Sequence, residues 1–129
     1  MEITQTPGAS AQLSDEAVLI YQRSGGIADI AEAWSVYPNG RVVASDGREW
    51  QVKPQQVEQL LHNIEALGFF ELKDNYVPKD TCCDRFTHQL TVRRDNEIHT
   101  ITTLDAAPDA PAELQTILTE VYNFFANLQ

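Results

Sequence analysis

The sequence predicts an α+β fold in which two amphipathic helices cover one face of an antiparallel β-sheet of four to five strands. Three observations carry that expectation. Two segments place apolar residues at helical spacing, each introduced by a proline, and several shorter segments alternate with period two between Gly- and Asn-containing turns. Their order, strands then helix then strands then helix, gives a ββ(β)α-ββα arrangement. The chain of 129 residues is of single-domain size and long enough to bury roughly two-thirds of its unfolded surface. A flexible leader over 1–14 and a single domain over 15–129 are expected, because the first residues are rich in Thr, Gln, Pro, Gly and Ser.

The first strand spans residues 17–23, Ala-Val-Leu-Ile-Tyr-Gln-Arg, and Ser24-Gly25-Gly26 follows as a turn with room for positive φ. Residues 30–37 form its hairpin partner, alternating Ile30, Glu32, Trp34 and Val36 with Ala31, Ala33, Ser35 and Tyr37. Pro38-Asn39-Gly40 turns the chain into a strand over 41–45, and Asp46-Gly47 into a short one over 49–52 that carries Trp50. Pro54 opens the first helix. Val57, Leu60, Leu61, Ile64 and Leu67 form its stripe, and Gly68 ends it. Phe69, Phe70 and Leu72 extend the apolar surface, and residues 73–83 read as an irregular loop. A third hairpin places Phe86, His88, Leu90 and Val92 opposite in parity to Thr87, Gln89, Thr91 and Arg93, then turns at Asp95-Asn96 into 98–104. The final helix starts at Pro111 and aligns Leu114, Ile117, Leu118, Val121, Phe125 and Leu128.

Nineteen acidic against nine basic residues give a formal charge of −10, a field that repels nucleic-acid phosphates and anionic lipid. Nucleic acid is therefore not an expected partner; a protein is. No apolar run reaches the ~18 residues of a membrane helix, and no signal-peptide order begins the chain. Cytoplasmic localisation is expected on that basis, with a trimmed export or lipid-anchor segment as the alternative.

Catalysis requires a nucleophile and base within mutual reach, and His62, His88 and His99 fall on separate elements. The phosphate-loop, dinucleotide, zincin and nucleophile-elbow motifs are missing from the sequence, so neither an enzymatic activity nor a cofactor is expected. Cys82 and Cys83 are adjacent and cannot close a stabilising loop. Flanked by Asp80 and Asp84, they form a candidate thiol site, able in principle to hold a soft metal or a strained vicinal disulfide. Too few ligands surround them for a tetrahedral site, and no metal is expected. Trp34, Tyr37, Trp50 and Tyr76 are the aromatic candidates for a binding face.

The stretch Ile20 through Arg23-Ser24-Gly25-Gly26-Ile27-Ala28, followed by a strand with Trp34, resembles the start of the emfourin family, proteinaceous inhibitors of thermolysin-like metallopeptidases. Pro38-Asn39-Gly40-Arg41-Val42, Leu67-Gly68-Phe69-Phe70-x-Leu72 and Tyr76-Val77-Pro78 resemble uncharacterised bacterial relatives of that group, so the similarity spans about residues 17–128. The resemblance implies a noncovalent inhibitor that blocks a peptidase cleft with the loop Ser24, Gly25, Gly26, Ile27 and Ala28, with Trp34 and Tyr37 as neighbouring aromatics. The chain departs from the family pattern at Ile27 and Asp29, where that pattern has an aromatic residue and a second glycine. The paired cysteines are no part of that pattern. A thiol-dependent metal or redox protein centred on Cys82 and Cys83 and a structural accessory domain are the alternative functions.

Overall fold

The computed structural model describes residues 17–25, 30–77, 86–104 and 110–128. Among these residues seven strands form one mixed sheet: β1 (Leu19–Gly25), β2 (Ile30–Val36), β3 (Arg41–Ala44), β4 (Glu49–Gln51), β5 (Asn75–Tyr76), β6 (Phe86–Arg94) and β7 (Glu97–Leu104). Helix α1 (Pro54–Ala66) follows β4, and α2 (Ala112–Ala126) ends the fold. The strand order is β4-β3-β2-β1-β6-β7-β5. The α+β class, the ladder of hairpins and the two helices match the expectation.

Two features correct it: the sheet has seven strands where four to five were expected, and it is not purely antiparallel. Asn75 and Tyr76 run parallel to Thr102 and Thr103, inside the segment expected to be irregular. The 3-10 turn Phe69–Glu71, entered through Gly68 at φ +87°, redirects the chain after α1 so that it passes along the outer edge of β7. A two-residue strand is too short to leave a period in the sequence, so its pairing is set by that crossover rather than by pattern. His99 holds the turn down by donating from Nε2 to the carbonyl of Leu72 at 2.8 Å, with its ring edge-on to Phe69.

Both helices lie on one face. Val57, Leu60, Leu61 and Ile64 of α1 and Leu114, Ile117 and Val121 of α2 are buried in one cluster with Leu19, Tyr21, Val36, Val42, Leu90, Val92 and Ile101 from the strands. Period two in the strands and the i, i+3, i+4, i+7 stripes in the helices bring these residues to a common plane. At the end of β6, Arg94 bridges to Glu58 (3.0 Å) and Glu65 (3.2 Å) of α1. The Arg94 hydrogen bond holds the Glu58 carboxyl below its ordinary range. That contribution is present above the ordinary glutamate pKa and is lost as pH falls through the lowered one; solvent exposure keeps it under about 1 kcal/mol. No helix among the described residues is long and apolar enough to cross a membrane.

The β2–β3 and β3–β4 turns each contain a glycine with positive φ, Gly40 at +94° and Gly47 at +96°. At Gly47 a Cβ would meet nothing within 4 Å, and the Arg48 amide closes the turn on the Asp46 carboxylate at 3.0 Å. At Gly40 a Cβ would stand 2.0 Å from the carbonyl oxygen of Val52, whose amide donates to the Gly40 carbonyl. Gly47→Ala is expected to cost about 1–2 kcal/mol, the left-handed backbone penalty alone. Gly40→Ala is expected to cost more, because β4 has to move away from β3 to admit the methyl group. Thermal unfolding of the two variants side by side checks this ordering.

Candidate functional site

On the face turned away from the helices, strand register aligns side chains into rows. Val43, Ser35, Ile20, Thr91 and Thr100 form one; Ala33, Gln22, Gln89 and Thr102 the next; Ala31, Ser24 and Thr87 the third. The residues named are uncharged, although the protein carries a formal −10; Glu49 extends the first row past Val43, and Arg93 follows Thr91 on the same side of β6. Hydrogen bonds within the face satisfy part of its polarity: the Thr91 and Thr100 hydroxyls meet at 2.8 Å and the Gln89 amide reaches Thr102 Oγ1 at 3.5 Å. Over the second and third rows lies an open groove of about 380 Å³, lined by Gln22, Ser24, Ala31, Ala33, Thr87 and Gln89, with the ion pair of Arg23 and Glu32 at its margin. Its floor is low because Ala31, Ala33 and Ser24 are small, while the two glutamines rise beside them.

This face is held rigid from beneath. Tyr21, buried on the helix side of β1, stacks on Trp34, His88 and Phe125 at centroid distances of 5.7, 5.9 and 6.1 Å. Its hydroxyl donates to Tyr122 Oη at 2.9 Å and meets His88 Nδ1 at 2.7 Å, an arrangement in which Nδ1 carries the imidazole proton. Next along the strand, Arg23 pairs with Glu32 across β1–β2 and lies over the Phe86 ring at 4.9 Å. Burial pushes the Arg23 guanidinium down, but the hydrogen bond and charge of Glu32, with Tyr122 adding to them, hold it above its ordinary value. The pair joins the three strands at the end where Ser24 sits.

The residues singled out from sequence are spread over the molecule. Ser24 lines the groove and Gly25, at φ +104°, ends β1 beside Ile30 and Phe86. Gly26, Ile27 and Ala28 lie outside the described residues, as do Cys82 and Cys83. Trp34 is on the helix-covered face, partly buried between Tyr21 and Phe125. Tyr37 is just past the far end of β2, seven residues from Ile30 or about 23 Å along the strand, with its ring under the Arg41 guanidinium. Register thus unites Ser24 with Ala31 and Thr87, and separates it from both Trp34 and Tyr37.

Of the groove residues outside β6, Ser24 was singled out in the sequence, whereas Gln22, Ala31 and Ala33 carried no signal, since alanine and glutamine on a strand mark only a parity. The histidines stand apart: His62 is exposed on α1, His88 is buried against Tyr21, and His99 pins the 3-10 turn. Among the described residues no group of three or more His, Cys, Asp and Glu is placed to hold a metal ion. No family model matches the chain, and no curated protein matches it.

Removing the Tyr21 hydroxyl deletes both of these bonds inside the core. Tyr21→Phe is expected to lower stability by about 1–3 kcal/mol. Tyr122→Phe should cost less, because Tyr122 is 40% exposed and the Tyr21 hydroxyl keeps its bond to His88. Chemical denaturation of both variants measures the difference.

Proposed function

We propose that this protein is a non-enzymatic binding module that recognises another protein through the Ser24 end of its uncovered sheet face, acting as a noncovalent inhibitor of a thermolysin-like metallopeptidase. One observation carries the reading: a rigidly backed groove, whose charged lining residues Arg23 and Glu32 neutralise each other, adjoins the end of the β1–β2 hairpin on a chain that is otherwise strongly acidic. Internally paired charge together with a preformed surface favours macromolecular contact, because little ordering opposes it. Strand β1, which carries Ser24, is held by seven consecutive register pairs to β2 and seven to β6, so Ser24 sits on a fully paired strand. The resemblance of Arg23-Ser24-Gly25-Gly26 to the emfourin pattern supplies the class of partner. An acidic overall field disfavours nucleic acid as a competitor for the same surface.

The test is residual activity of a thermolysin-like peptidase titrated with the intact protein and with the Ala31→Arg, Thr87→Arg variant. Both positions flank Ser24 by register and point away from the core, so the fold is expected to persist. Saturable inhibition by the wild type, weakened at least about tenfold in the variant, is the expected result. Absence of inhibition across several such peptidases overturns the inhibitor reading.

A further inference from the structure

A second surface lies at the opposite margin of the sheet and is independent of the inhibitor reading. Strand β4 is the last strand on its side. Val52 donates to the Gly40 carbonyl and Ala44 to the Arg48 carbonyl, so in this antiparallel pair the residues at 48, 50 and 52 turn their backbone groups toward β3. Those of Glu49 and Gln51 then point outward, where no strand among the described residues pairs with them. Beside this edge runs an open groove of about 980 Å³ between β4, the start of α1 and the end of α2, lined by Glu49, Trp50, Val52, Lys53, Pro54 and Leu128 among others. Trp50, Val52 and Leu128 all pack on the core cluster, which makes the groove wall apolar and firm.

Charge in the groove runs against that of the whole molecule. Glu49 is matched by Arg41 at 3.2 Å, whereas Lys53 makes no ion pair among the described residues. With Glu49 so paired, Lys53 is the unmatched charge of the groove lining, an ammonium on a protein of formal charge −10. We infer that the β4 edge and this groove bind an extended peptide segment of a protein partner as an added strand. The occupant places an apolar side chain against Trp50 and Leu128 and a carboxylate at Lys53. Unpaired strand backbone selects an extended chain, alternate side chains then fall on the helix side of the sheet, and the lone ammonium selects an acidic terminus over a basic one. With three residues in β4, the edge supplies only the two outward-facing backbone pairs of Glu49 and Gln51, so the apolar contact is required for measurable affinity.

The probe is a blocked heptapeptide alternating valine and threonine and ending in aspartate, titrated into the isotope-labelled protein while amide resonances are followed. Saturable shifts at Glu49, Trp50, Gln51, Lys53 and Leu128 are expected, and they should vanish when the peptide is N-methylated at alternate residues. Gln51→Pro removes an outward N–H and leaves the β3 pairing intact, so it should weaken binding at least about tenfold with the rest of the spectrum unchanged. Lys53→Glu should weaken it about two- to fivefold. The Ala31→Arg, Thr87→Arg variant should bind the peptide as the wild type does, which separates this surface from the inhibitor site. Absence of saturable shifts at these residues at about 1 mM peptide, or binding indifferent to backbone methylation, overturns the proposal.

Discussion

The pairing of β1 with β6 is the constraint on which the other features depend. It joins segments more than sixty residues apart in sequence through seven consecutive register pairs, from Leu19↔Val92 to Gly25↔Phe86. Without it the N-terminal meander of β1 to β4 and the C-terminal hairpin of β6 and β7 are two small sheets, each too narrow to carry both helices. With it, Leu19, Tyr21, Leu90 and Val92 become the centre of a continuous floor, and α1 and α2 pack over that floor in one cluster. Closing so long a loop is entropically costly, and the buried apolar area beneath the two helices offsets it.

Covering one face leaves the other to define how the molecule meets its surroundings. Acidic residues such as Glu58, Glu65, Glu113 and Glu120 lie on the helices, two of them engaged by Arg94. The rows on the far side of β1, β2, β6 and β7 carry hydroxyls, amides and small apolar groups instead. Such a division keeps like charge away from one broad surface while the molecule as a whole stays strongly charged. The aromatic stack around Tyr21 supplies stiffness directly beneath it, so the groove at Ser24 and the cross-strand pair of Arg23 with Glu32 rest on the same support.

The two surfaces differ in what they offer a partner. At Ser24 the offer is side-chain shape and neutral polarity on a sheet face, whereas at β4 it is unpaired backbone beside an apolar wall. The first favours a folded partner of matching contour, the second a flexible segment able to extend. Both follow from one topology, in which the central strands are fully paired and β4 is left at a margin.

The sequence by itself determined the elements and the faces. Proline at the helix starts, the stripes from Val57 to Ile64 and from Leu114 to Val121, and period two in the strands are local signals, and the structure places those elements within one or two residues of their expected bounds. The parity of Thr87, Gln89 and Thr91 likewise marked the uncovered face. Only the tertiary structure decided which strands are neighbours, because period two specifies what a strand buries and not whom it pairs with. Hence the β1–β6 junction, the parallel β5 and the outer edge of β4 were illegible, and with them the grouping of Ser24 with Ala31 and Thr87. Trp34 and Tyr37 divide differently: the parity that Trp34 shares with Val36 and the place of Tyr37 beside the Pro38 turn are local and legible, whereas what stacks on each ring is set by contacts distant along the chain.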